Sequence, residues 1–248
     1  DMNYYAFLLH FFSAVIVAGI LFSVVGEINF NTTIYGYKID TIAANGKDVT
    51  FIFGEDGPKI ELTSESLKII IVLIFFITAL FHLFYSKSKR YSKEISSGKN
   101  RFRWVEYAIT SSLMIFIYNI ISGVKDIYSV FLIVLFNAVL MSFGYFLEIT
   151  TNLEGKRTAV IMGFFILTII FSFSYYQFVA NLERAKQPSP VNPTGFDIPE
   201  WVYGVVIAMI FWWASFGIVG TLYYRASLKG KVDYTRYEKY YIFLSFMS

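Results

Sequence analysis

The chain contains no cysteine, which excludes disulfides, thiolate metal sites and cysteine nucleophiles. Histidine is nearly as scarce. His10 and His82 are the only two, too few for a histidine-rich metal spacing, and no metal site is expected. The sequence also lacks a nucleophile elbow and a phosphate-binding loop, so it does not read as an enzyme. Only 16% of residues are charged and the net charge is +3, which gives no basis for a nucleic-acid partner. Proline is confined to Pro58, Pro188, Pro190, Pro193 and Pro199, all outside the apolar runs, so the helices should run without proline kinks. No internal repeat or low-complexity segment is present, and no basic leader precedes the first apolar run as a secretory signal would require.

What is present is apolar. Of the 248 residues, 56% are hydrophobic, and the mean hydropathy is +0.55, which argues against an ordinary soluble domain. A bilayer core takes about 20 apolar residues per helix. Runs long enough lie at 4–25, 67–85, 104–121, 127–147, 158–180 and 201–224, and a seventh begins near Tyr240 and reaches Ser248 well short of crossing. The expected fold is an all-α membrane protein, a single domain over 1–248 built as a seven-transmembrane-helix bundle with a truncated seventh helix.

The distribution of charge orients the bundle. The loop after the second run carries Lys87, Lys89, Arg90, Lys93, Lys99, Arg101 and Arg103 against the single acid Glu94. Lys156 and Arg157 follow the fourth run, and Arg225, Lys229, Lys231, Arg236 and Lys239 follow the sixth. The alternate loops are poorer in basic residues, so these three loops should face the cytoplasm. The N-terminus then lies inside, inverted relative to ordinary seven-helix receptors. The basic loop 87–103 suits a protein partner or anionic lipid.

The first outer loop, 27–66, is too long for a simple connection. It alternates over 34–39 and 49–53, with turn signals at Asn45-Gly46 and Asp56-Gly57, and predicts an extracellular β-hairpin acting as a lid, a dimer contact or a stable loop without a role. Asn31-Thr32-Thr33 is a glycosylation sequon too near the membrane for occupancy to be expected.

Polar residues inside the runs carry the functional signal. Glu106 lies about one turn into the third run, and a buried acid in hydrocarbon normally has a partner and a role. Arg103, three residues earlier, shares its helical face and is the expected partner. His10 and His82 fall at a similar depth, in the cytoplasmic half, where a neutral imidazole near a carboxylate can accept or store a proton. The alternative is two interfacial histidines with a snorkelling glutamate paired to Arg103. Asn137 is a lone amide in an apolar run, suited to bonding a neighbouring helix or orienting a site residue. Gly144 permits close approach of a ligand or a helix. Phe211-Trp212-Trp213 and Phe216 sit near mid-membrane, where tryptophan is unusual, and suggest a lined pocket or aromatic packing. Glu148, Glu154 and Glu200 read as solvated charges at helix ends or in loops.

These stretches resemble the heliorhodopsins, retinal proteins of inverted membrane orientation. The resemblance rests on Phe102-Arg103-Trp104-Val105-Glu106-Tyr107 with Ser111, Ser112, Met114 and Ile115. It extends to Ala79-Leu80-Phe81-His82, Asn137-Ala138 with Phe143-Gly144, Val202-Tyr203-Gly204 with Ser215-Phe216, and Tyr241-Ile242-Phe243-Leu244-Ser245. It implies all-trans retinal bound as a protonated Schiff base to a seventh-helix lysine, which the family pattern places four positions after Ser245, directly after Ser248, with no other lysine read inside a span to substitute. It further implies Glu106 as counterion and Ser245 near the Schiff base. His10, His82 and Arg103 would belong to a proton-accepting cavity, with Tyr107, Ser111 and Asn137 around the chromophore. Met141, Gly144, Trp212 and Trp213 would line its pocket. The implied function is light sensing through a conformational signal to an unidentified cytoplasmic partner, in a homodimer within the lipid bilayer. The alternative is a light-activated proton transporter or channel, as some viral members are described. Richness in Phe, Tyr, Ile, Asn and Lys fits an A/T-rich genome, many large viruses among them.

Overall fold

Each well-described helix start carries a side chain that accepts the otherwise unbonded amides of the first turn. Thr63 caps Ser66 N at 3.2 Å, Asn100 caps Arg103 N at 3.1 Å, Asp126 caps Ser129 N at 3.0 Å and Asn152 caps Gly155 N at 2.6 Å. The computed structural model describes residues 2–24, 32–35, 37–40, 50–53, 59–188 and 200–247. The helices are α1 (Met2–Gly19, closing in a π-helical turn at Ile20–Val24), α2 (Ser64–Lys87), α3 (Lys89–Ser96), α4 (Arg101–Ile121), α5 (Ile127–Ile149), α6 (Leu153–Lys186), α7 (Glu200–Leu228) and α8 (Tyr234–Met247). Among the described residues, six helices are long and apolar enough to cross a bilayer: α1, α2, α4, α5, α6 and α7.

Between α1 and α2 lie four short strands, β1 (Thr32–Tyr35), β2 (Tyr37–Asp40), β3 (Thr50–Phe53) and β4 (Lys59–Leu62). β2 pairs antiparallel with β3, Tyr37 opposite Phe53, and β1 pairs antiparallel with β4, Thr32 opposite Leu62. The expected hairpin is therefore present as two successive strand pairs, the second using a strand over 59–62 that the alternation does not reveal. Both turn signals and Asn31 lie outside the described residues. Tyr35 N donates to Lys125 O at 2.7 Å, and Ile34 and Leu62 pack with Leu67, Ile120, Val124 and Val130. The strands are thus fastened to the α4–α5 turn.

Two helices depart from the sequence expectation. The basic loop after α2 contains α3, started by Ser88, whose Oγ accepts from Tyr91 N at 3.3 Å. α3 buries Tyr91 and Glu94 while Lys89, Arg90 and Lys93 are exposed. α8 begins at Tyr234, not near Tyr240, because Tyr234, Glu238, Tyr241 and Ser245 recur at helical spacing on one buried face.

The ends of α4, α5 and α8 meet on Arg103. Its guanidinium is 2% exposed and ion-paired to both Glu148 and Glu238. It also donates to Tyr234 Oη at 3.1 Å and lies 4.0 Å from the Tyr241 ring centre. Glu148 additionally accepts from Asn100 N at 2.8 Å and from Tyr234 Oη at 3.0 Å. This corrects two expectations. Glu148 is not solvated, and Arg103 serves Glu148 and Glu238 rather than Glu106. Glu154 is exposed as expected, whereas the side chain of Glu200 lies outside the described set. Lys68, Lys87 and Lys156 also fall inside spanning helices, contrary to the reading that no lysine does. Lys156 is buried in the first turn of α6, donating to Leu147 O at 2.8 Å.

Removing one partner of a buried ion pair strands the others and costs about 3–5 kcal/mol, against at most about 1 kcal/mol for a surface pair. Arg103→Met should therefore lower the thermal denaturation midpoint in lipid or detergent far more than Lys186→Met, whose exposed pair with Glu183 spans 3.3 Å.

Candidate functional site

One turn beyond Arg103 on α4, Glu106 is 1% exposed. Its Oε2 accepts from Tyr85 Oη at 2.6 Å, while Oε1 is buried and, among the described residues, has no hydrogen-bond partner. Tyr85 stands on α2 one turn after His82, and the two rings meet edge to face at 5.5 Å. His82 in turn stacks parallel on His10 of α1, with 5.5 Å between centres and 2° between planes. The structure thus brings His10, His82 and Glu106 together through a residue, Tyr85, that the sequence reading passed over as the end of a span. Its spacing from His82, three residues along one helix, was the available signal.

His82 has two polar neighbours. Nδ1 lies 3.0 Å from Asn3 Oδ1, and Nε2 lies 3.5 Å from Ser245 Oγ on α8. Arg103 is not part of this group, since its guanidinium is committed to the two carboxylates described above.

Beside the group opens a cavity of about 840 Å³. His10, Thr78 and Ser245 form its polar end, and Ile117, Ile121, Phe178 and Val206 line its other reaches. Tyr107, Ser111, Met141, Gly144, Trp212 and Trp213 all lie on the wall. Asn137 is not among the lining residues. It stands behind them, donating to Ser111 Oγ at 2.7 Å and Ser112 Oγ at 3.1 Å, and so joins α5 to α4. Phe211 is 62% exposed and faces away from the cavity. Phe216 is on the wall, meeting Tyr107 edge to face at 5.3 Å. Gly144 is the point where the Trp104 indole crosses α5, and a Cβ built there would overlap the ring. Glu106 stands just behind the wall, its backbone carbonyl accepting from Thr110 Oγ1 at 3.0 Å.

A family model, Heliorhodopsin, matches residues 1–248, the whole chain. The chain belongs to the heliorhodopsin family. No curated protein matches it. As a heliorhodopsin with six long apolar helices, it is a retinal-binding, light-responsive, multi-pass membrane protein.

The residues present fit retinal. A long apolar polyene requires a hydrophobic, aromatic-lined space of this kind, and a cation held beside it would require a buried acceptor. Glu106 Oε1 is such an acceptor. Within this heliorhodopsin the two glycines on the α5 and α6 walls differ sharply. A Cβ on Gly163 would meet only Leu140 Cδ1, at 3.8 Å. Gly144→Ala must displace Trp104, an overpacking change of about 1–3 kcal/mol. It should reduce the visible pigment formed per protein on adding retinal, whereas Gly163→Ala should leave pigment yield unchanged.

Proposed function

We propose that this heliorhodopsin is a photosensor in which Glu106 is the counterion of a protonated retinal Schiff base on a lysine directly after Ser248. The observation that carries the reading is the lone acceptor atom of Glu106. A carboxylate in a low-dielectric interior needs a cation or several donors to remain charged. Arg103, the nearest candidate in sequence, is already matched by two acids, so among the described residues Glu106 has one donor, Tyr85, and one open oxygen. A lysine after Ser248 would follow Ser245 by one helical turn and so share its face of α8.

Bound retinal supplies a cation at its linkage and a double bond that light isomerises. The chain does the rest. Glu106 holds the cation, Tyr85 fixes the orientation of Glu106, and the aromatic wall of Tyr107, Trp212, Trp213 and Phe216 restrains movement. His10, His82 and Ser245 offer proton-accepting sites at the polar end. Among the described residues, the cavity lining contains no Asp, Glu, Lys or Arg. A proton beyond the polar end has no carboxylate there to step onto, which favours sensing over transport.

The same reading places the N-terminus in the cytoplasm and the strands outside. Asn3 of α1 bonds Tyr91 of α3, so the start of α1 lies at the end that carries exposed Lys87, Lys89, Arg90 and Lys93. At the other end cations come with acids, Lys59 with Glu61 at 3.0 Å and Lys68 with Glu65 at 2.9 Å. A homodimer and a cytoplasmic signalling partner belong to this proposal through the family resemblance.

Added all-trans retinal should give a visible band that hydroxylamine bleaches in light. Glu106→Gln should shift it strongly and Tyr85→Phe less, in the same direction. A colourless full-length protein, or a band indifferent to Glu106→Gln, would overturn the assignment. Voltage-clamped membranes should stay silent under illumination, and a steady photocurrent that reverses with the proton gradient would replace sensing with transport.

A further inference from the structure

A chain of hydrogen bonds across α8, α3, α1 and α2 determines which nitrogen of His82 carries its hydrogen. At one end stands Glu238, whose carboxylate is paired with Arg103 and also accepts from Asn100 Nδ2 at 2.9 Å. A carboxylate of this kind only accepts. The Tyr91 hydroxyl, 3.0 Å from Glu238 Oε1, is therefore the donor. Burial, reinforced by the neighbouring Glu238 charge, holds the Tyr91 phenol above its ordinary value and keeps that hydrogen in place.

A phenol has one hydrogen to give. With it directed at Glu238, the Tyr91 oxygen must accept from Asn3, 3.0 Å away, so Asn3 turns its amide NH2 toward Tyr91. Its oxygen then faces His82 Nδ1 at 3.0 Å. An amide oxygen cannot donate, so Nδ1 carries the hydrogen, and Nε2 points its lone pair toward Ser245 Oγ on the cavity wall.

We infer that Asn3, oriented by Tyr91 and Glu238, is a positioning residue that fixes His82 as the Nδ1–H tautomer and turns a basic Nε2 to the cavity. The alternative tautomer would set two acceptors, Nδ1 and Asn3 Oδ1, face to face. Rotating the Asn3 amide to relieve that clash would set NH2 against His82 and leave the Tyr91 oxygen without its donor. The whole relay is therefore either correct together or broken together. That a proton from the photoactive site reaches this lone pair rests on the photosensory reading above, whereas the tautomer does not.

The test is 15N magnetic resonance on the full chain in lipid, labelled at histidine and kept in the dark, with His10→Gln to assign the two rings. His82 Nδ1 should resonate as a hydrogen-bearing nitrogen and Nε2 as a bare one, in a single form. Asn3→Leu should give a mixture or the opposite tautomer. Tyr91→Phe, which keeps the ring stacked 4.9 Å from Tyr85, should do the same with less risk to folding. Asn3→Asp, which keeps an acceptor toward Nδ1 while giving up the donor to Tyr91, should keep hydrogen on Nδ1. Hydrogen on Nε2 in the wild type, or an unchanged tautomer in both Asn3→Leu and Tyr91→Phe, would overturn the inference. A colourless protein with the Nδ1–H tautomer would sink the photosensory reading and leave this assignment standing. A pigment with the Nε2–H tautomer would do the reverse.

Discussion

A guanidinium buried between two carboxylates draws α4, α5 and α8 to a common point, and the site takes its electrostatics from that arrangement. Arg103 cannot leave Glu148 and Glu238 without stranding charge in a low-dielectric interior. The cluster also collects donors from Asn100 and Tyr234, so its lone pairs are largely satisfied from within. Because two acids already claim the one cation, Glu106 receives no partner from its own helix. The buried acceptor on Glu106 is thus a consequence of how the ends of the bundle are held together.

The cavity beside it is built by complementary sizes. Gly144 is small because Trp104 lies across it, and Trp104 lies there with its indole 5.2 Å from the Arg103 guanidinium carbon. One ring therefore touches both the charge cluster and the apolar wall. Asn137 ties the neighbouring stretch of α5 to Ser111 and Ser112 and keeps the wall in register without entering it. The lining carries both polar and apolar residues. His10, Thr110, Ser111 and Ser245 are among the former, and isoleucines, Phe178 and Val206 are among the latter.

Much of this was legible in the sequence. Hydropathy located six helices, and the rarity of ionisable groups within them singled out Glu106, His10 and His82. What escaped shares one physical cause. Tyr91, Glu94, Tyr234 and Glu238 are buried near helix ends by hydrogen bonds and ion pairs rather than by apolar area, Tyr91 on Glu238, Glu94 on Arg101 and Tyr234 on Glu148. A hydropathy window counts such residues as solvent-facing, so it reads α3 as loop, starts α8 late and leaves Glu148 on the surface. The period of 234, 238, 241 and 245 is present but lies in tyrosines, an acid and a serine. Arg103 was assigned to Glu106 because spacing along one helix was the only geometry available, whereas the true partners come from α5 and α8.

Tyr107 donates its hydroxyl to the backbone carbonyl of Tyr241 at 3.2 Å. Within α8 that carbonyl also serves the amide of Ser245, four residues on. A single oxygen therefore joins the lining of the cavity to the internal ladder of the helix bearing Ser245. Displacing the Tyr107 ring would return that carbonyl wholly to its own helix. Crowding in the cavity is thereby converted into a change in how tightly one turn of α8 is wound.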